Sequence, residues 1–195
     1  MIHAIGDSHA DHTFRGIHGV VSHWLGPVTM KRVGFREDHL VPRPVREMRL
    51  APTDALILCF GEPDCRSYIK PTLEHRPITL ENLLRSWLEP YLDAAQALEV
   101  NGAKLTVMSV VPPCHEDVLV IMKTWYHGSD AERSAYTEKM NELLAAACVK
   151  RGLYYADVYT KYKDEDGMMS RILSQDVHVR QTAPCAAVLR RMGLL

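Results

Sequence analysis

The sequence predicts an α/β fold, a mostly parallel sheet covered by helices on both faces. Three observations carry this expectation. Apolar runs rich in β-branched residues recur at 55–61 (ALILCFG), 103–111 (AKLTVMSVV) and, more weakly, 153–159 (LYYADVY). Long helical patterns lie between them, and strands alternating with helices of that length build parallel sheets, because parallel neighbours need crossover connections. The strand candidates are nearly continuous apolar runs, the pattern of strands buried on both faces.

Taken in order, IHAIG at 2–6 reads as the first strand and VVSHWLG at 20–26 as a candidate second, which makes about five with the three runs above. The stretch TLENLLRSWLEPYLDAAQAL at 79–98 sets Leu80, Leu83, Leu84, Trp87, Leu88, Tyr91, Leu92, Ala95 and Leu98 on one helical face. Thr79 is its expected N-cap, and Glu81 puts negative charge in the first turn, where the helix dipole favours it. Pro90 is expected to kink this helix or restart it. A second long helix is expected from about Asp130 to Lys150, closed by Arg151-Gly152, and a last one after Thr182 with Pro184 in its first turn.

With 195 residues and no Gly/Ser/Pro-rich linker, the chain is expected to form a single domain spanning 1–195. Its 23 basic and 24 acidic side chains leave a formal net charge of −1, which gives no general attraction to nucleic acid or anionic lipid. No stretch approaches the roughly 20 apolar residues of a membrane span, and Gly6 and Asp7 interrupt the opening run too soon for a signal peptide. The five cysteines, an odd number without a CxxC pair, point to a reduced, cytoplasmic protein without structural zinc. Nothing signals an oligomeric state.

In parallel sheets ligands bind at the carboxyl ends of the strands. Those ends carry GDSH at 6–9, GEPD at 61–64 within GEPDCR, and Pro112-Pro113; a further polar cluster, QDVHVR at 175–180, precedes the last helix. Taken alone, GDS is read equally well as a strand-to-helix turn in which glycine permits the turn and Asp7 ties it. Its company adds chemistry. A serine hydroxyl needs an adjacent base, and the base an acid that holds its tautomer; Ser8, His178 and Asp176 supply those three types in that chemical order.

These blocks, with their order and surroundings, resemble the SGNH/GDSL hydrolase family, in a GDSH, GExDxR-type form. GDSH stands for the nucleophile block and GEPD for the GxND block. VVPP follows the fourth strand, Asn141 lies in MNELL before GLYYADVY, and QDVH comes near the end. The resemblance implies a flavodoxin-like three-layer α/β/α fold and serine esterase chemistry through an acyl-enzyme, on a small acyl ester, with no cofactor and no metal. It implies Ser8 as nucleophile, His178 as general base, and backbone N–H oxyanion donors at Ser8 and a second-block glycine. Gly26 in LGPVT is preferred to Gly34 for that donor.

Two departures are visible. The asparagine of the third block is replaced by Pro63, which has no donor; Arg66 is the expected substitute, unless it pairs with Glu62 or Asp64. The acid expected three residues before the histidine is Gln175 here, and Asp176 stands two before. Alternate side chains of an extended segment share a side, so Asp176 keeps its reach. Glu62, Asp64, His115 and His127 are the expected substrate-facing groups, with Trp125 and Tyr126 in the same covering segment. His9 and His12, one helical turn apart, could be drawn as half of a metal site, although no second ligand pair accompanies them. Two other readings stay open: an O-acyltransferase that passes the acyl group to a carbohydrate hydroxyl, and a catalytically silent binding module of the same fold.

Overall fold

The computed structural model describes residues 1–35, 40–174 and 176–195. Five strands, β1 (Ile2–Gly6), β2 (Val20–Trp24), β3 (Ala55–Cys59), β4 (Lys104–Met108) and β5 (Tyr154–Ala156), form one parallel sheet in the order β2-β1-β3-β4-β5. All the strands read from the sequence are present, several of them shortened at their carboxyl ends. The residues freed there turn out of the sheet and build the site.

Strand alternation divides the core into two. Leu56 and Leu58 of β3 join Ile5 and Val107 on one face, under α2 (Met30–Gly34), α3 (Pro42–Met48), α5 (Leu80–Gln96) and α7 (Asp130–Arg151). Ala55, Ile57 and Cys59 join Ile2, Ala4 and Met108 on the other, under α1 (Ser8–His12) and α9 (Ala183–Arg191). This is the three-layer arrangement that the alternation of strands and helices predicts. Three shorter helices, α4 (Ile69–His75), α6 (Glu116–Ile121) and α8 (Tyr159–Tyr162), lie in the connections. No helix among the described residues is long and apolar enough to cross a membrane.

The local signals act as expected at most ends. Thr79 accepts from Asn82 N to cap α5, and Gly152 closes α7 in the left-handed conformation. Ser129 and Glu132 form a reciprocal capping box at the start of α7. Pro90 does not restart the helix: α5 runs from Leu80 to Gln96 with the proline inside it. Tertiary burial outweighs the lost backbone bond, since Trp87, Leu88, Tyr91 and Leu92 around the proline are all buried. Gly34 is the other half of that contact. A Cβ there would come within 2.9 Å of Tyr91 N and 3.0 Å of Pro90 Cβ, so this glycine serves helix packing.

At the centre of the sheet Gly6 pairs with Cys59, and a Cβ on Gly6 would stand 1.8 Å from the Cys59 carbonyl oxygen. The glycine is therefore required by the close approach of β1 and β3, whereas the sequence suggested a turn. Gly6→Ala is expected to force the two central strands apart and to destabilise the fold by ~3 kcal/mol or more, the upper range of overpacking. Urea denaturation measures this; a variant within about 1 kcal/mol of the parent would contradict it.

Candidate active site

The site is assembled where β1 and β3 part company, the point at which chain connections leave the sheet in opposite directions. Asp7 follows β1 directly and is fixed twice. Its N–H donates to the Cys59 carbonyl (3.1 Å), and its Oδ1 accepts from His9 N (2.9 Å) as the N-cap of α1. The Asp7 carboxyl is fully buried and burial pushes it up to about 6; its Oδ2 has no partner among the described residues. Asp7 is thus a turn-holding residue, and it presents Ser8 as the first residue of α1.

His178 meets Ser8 across 170 positions, with Nε2 2.9 Å from Oγ. Its Nδ1 lies 2.7 Å from Asp176 Oδ1, and the same carboxylate oxygen accepts from His178 N at 2.8 Å. The network assigns the proton to Nδ1, so the Nε2 lone pair faces the serine hydroxyl. Burial, with His9 and His12 nearby, lowers His178 to about 4 against the opposing pull of Asp176. Burial would raise Asp176, but the His178 N–H groups outweigh it and hold the carboxyl below its ordinary value. At neutral pH the His178 ring is therefore neutral and the Asp176 carboxyl charged. Gln175, at the position where the resemblance expects the acid, lies outside the described residues.

The loop carrying the pair is pinned at both ends. Ser174 and Val179 form an antiparallel bridge, Arg180 N donates to the Leu173 carbonyl (2.7 Å), and Val179 is buried in the core beneath α1. Cys114 Sγ lies 3.3 Å from the Asp176 carbonyl. Gly26 follows β2 with a φ of +85° and open space where a Cβ would go. Neither the Ser8 N–H nor the Gly26 N–H has a hydrogen-bond partner among the described residues.

Several residues expected at the substrate serve other ends. Asp64 is 1% exposed and caps the start of α2, accepting from Met30 N (2.8 Å) and Lys31 N (3.4 Å); it is structural. Burial pushes its carboxyl up to about 7, against those two bonds. Glu62 is also buried. It accepts from Arg66 Nε (2.6 Å) and lies 3.8 Å from His9 Nε2. Burial would raise Glu62, but the Arg66 charge and His9 bring it down to about 2. Arg66 makes the pairing with Glu62 that competed with the donor role, and its Nη1 donates to the Trp125 carbonyl. Only Nη2 is left without a partner among the described residues.

His115 lies between Asp130 (3.4 Å) and Asp164 (3.2 Å), and with Ala131, Asp166 and Met168 it lines a pocket that includes none of Ser8, Asp176 and His178. His127 N donates to the Arg66 carbonyl (2.8 Å), and its ring meets Trp125 edge to face, as Tyr68 does. The 125–127 segment is therefore fastened to the 61–67 segment through Arg66, Ser67 and His127. Among the described residues no group of three or more His, Cys, Asp and Glu is arranged to hold a metal ion. His9 turns inward to Glu62, while His12 stacks on His178 with ring centroids 3.8 Å apart. That stacking was not read from the sequence, although the spacing of four from Ser8 to His12 was there to suggest it.

No family model matches the chain, and no curated protein matches it. Solved structures do. A GDSL-like lipase from Bacteroides thetaiotaomicron superposes with a TM-score of 0.65 at 12% identity, over 99% of this chain and 86% of that one. A lipase/acylhydrolase from Enterococcus faecalis gives 0.54 at 14%, over 98% and 93%. An aryl esterase from M. smegmatis gives 0.58 at 13%, over 100% and 99%. The chain has the fold of the GDSL-like hydrolases, the three-layer α/β/α arrangement expected from its sequence.

Removing one partner of a buried ion pair leaves the other charge uncompensated. Arg66→Ala is accordingly expected to cost ~3–5 kcal/mol at neutral pH. In the parent, Glu62 is depressed on folding, so its contribution is complete above its ordinary range near 4.5 and is lost as pH falls toward about 2. Without Arg66 the buried carboxyl takes up a proton at higher pH, so the deficit should shrink as pH drops. Urea melts at pH 7 and pH 5 test this; an equal deficit at both would refute it. Asp64→Ala should cost ~1–3 kcal/mol through the unpaired N–H groups of α2, with Asp64→Asn largely sparing it by keeping an acceptor. Thermal melts of the two variants make the comparison.

Proposed function

We propose that the protein is a serine ester hydrolase of the SGNH/GDSL type acting on a small acyl ester. The observation that carries this is the relay Ser8–His178–Asp176, with both contacts at hydrogen-bond length and the base unprotonated at neutral pH. An assembled relay speaks against a silent module, where nothing would keep a hydroxyl, an imidazole and a carboxylate in line. The names of the structural neighbours, lipase, acylhydrolase and aryl esterase, support the same class.

In this mechanism Ser8 Oγ attacks the ester carbonyl carbon as its proton passes to His178 Nε2. The carbonyl π pair moves to oxygen, giving a tetrahedral oxyanion. The unpartnered N–H groups of Ser8 and Gly26 are the proposed donors to it, with Arg66 Nη2 as the third in place of the missing asparagine. Collapse breaks the bond to the leaving alkoxide, which takes the proton from His178. Water then attacks the acyl-enzyme with His178 again as base, and a second collapse releases the acid and restores Ser8. Asp176 holds the ring and stabilises the transient imidazolium. Five free, buried cysteines, all kept as thiols by burial, support a reducing, cytoplasmic setting.

Hydrolysis of a short-chain p-nitrophenyl ester tests the reading. Ser8→Ala and His178→Ala should each lower kcat by at least about 10,000-fold, and Asp176→Asn by about 1,000- to 10,000-fold. Turnover unchanged in Ser8→Ala would exclude the proposed nucleophile. Because the base is free whenever its pH exceeds about 4, kcat/KM should stay level from neutral pH downward and fall only below that value.

A further inference from the structure

His12 is the last residue of α1 and stands one helical turn beyond Ser8, so the two side chains share a face of the helix. His178 fills the space against that face. Its Nε2 contacts Ser8 Oγ at 2.9 Å, and its ring lies on the His12 ring with centroids 3.8 Å apart and planes 14° from parallel. On another side His9 approaches with a centroid distance of 5.3 Å and a tilt of 48°. Asp176 takes the remaining nitrogen.

Two hydrogen bonds lying in the plane of an imidazole resist sliding within that plane and resist a tilt out of it only weakly. A tilt about the Cβ–Cγ bond carries Nε2 and its lone pair out of the direction of the serine hydroxyl. A flat ring in van der Waals contact with one face removes that freedom. From this geometry we propose that His12 is a positioning residue, a shelf that holds His178 in the plane in which its Nε2 meets Ser8. The inference rests on the reading of Ser8 and His178 as the reacting pair.

The shelf works as a neutral ring. Burial lowers the His12 pKa, Arg15 adds to this, and Asp11 opposes it. The charged or titratable groups facing the base are His9 and His12 from α1 and Asp176 from its own loop; those around His12 are Arg15, Asp11, His9 and Asp176. A protonated His12 would repel the imidazolium that forms on His178 during each step, whereas a neutral one shields it from water at no charge penalty. Shape, rather than proton transfer, is what position 12 contributes.

The test compares His12→Ala, which removes the shelf, with His12→Phe, which keeps a flat ring that cannot titrate. His12→Ala should lower kcat for a short-chain p-nitrophenyl ester about 10- to 100-fold, the scale of a small misplacement, with KM little changed. The NMR titration of the His178 ring should also move to higher pH in the resting protein. His12→Phe should recover most of kcat and keep the titration low. An alanine variant with parental kcat and an unmoved His178 titration overturns the proposal, as does a phenylalanine variant as slow as the alanine one. If His12→Ala fails to fold, His12→Leu provides the non-planar comparison. The NMR arm needs no turnover, so the two readings separate. A titration that moves in protein lacking esterase activity keeps the shelf and sinks the hydrolase; loss of activity in Ser8→Ala with nothing changed in His12→Ala does the reverse.

Discussion

A single hydrogen bond between residues 170 positions apart, from the Ser8 hydroxyl to His178, sets the tolerances for much of the molecule. One end is rigid because it hangs from the middle of the sheet. Gly6 sits against Cys59, Asp7 N–H is bonded to the same residue's carbonyl, and α1 starts at once. The other end must be made rigid by other means, since it lies in a loop near the tail. The Ser174–Val179 bridge closes that loop, Val179 anchors it in the core under α1, and Tyr162 Oη holds the exit by donating to the Gln181 carbonyl (2.9 Å) and accepting from Cys185 N (3.2 Å). Reach between distant segments thus depends on apolar burial beneath the polar contact. A relay whose partners came from two mobile loops would lose most of its geometric advantage to ordering entropy.

Three carboxyls are buried within this small region, and their different fates show what burial demands. Glu62 has a guanidinium at 2.6 Å and stays charged down to about 2. Asp7 and Asp64 have only backbone donors, and burial lifts them to about 6 and about 7. The first is an ion pair that also fastens a loop; the other two are caps for chain reversals.

The strands, the long helices and the Ser8, His178 and Asp176 set were legible because each depends on local pattern or on residue type. Hydrophobic periodicity marks a face without regard to what covers it, and Gly152 or Thr79 closes a helix through its own chemistry. Functions that depend on which groups meet were not legible. GEPD looked like a substrate-facing cluster because its acids follow a strand, yet Asp64 points back to cap α2 and Glu62 points to Arg66 and His9. Pro90 suggested a restart as readily as a kink because propensity is local, while the packing of Gly34 against it is not. His12 carried the right spacing, but only coordinates place His178 on its face.

Pro63 stands where the sequence resemblance leads one to expect an asparagine, and the residues around it are engaged elsewhere. Pro63 cannot donate a hydrogen bond, and it opens a π-helical turn, Asp64–Tyr68, whose side chains reach in two directions. Asp64 reaches back to the N–H groups of Met30 and Lys31, so it fixes the start of α2 four residues after Gly26. Arg66 and Ser67 reach forward to the carbonyl of Trp125 and hold that segment. In the proposed mechanism the Gly26 N–H is an oxyanion donor, and a donor is useful only if it cannot drift. In that mechanism the 61–67 segment would serve the oxyanion twice, directly through Arg66 Nη2 and at one remove by immobilising the backbone that supplies a neighbouring donor.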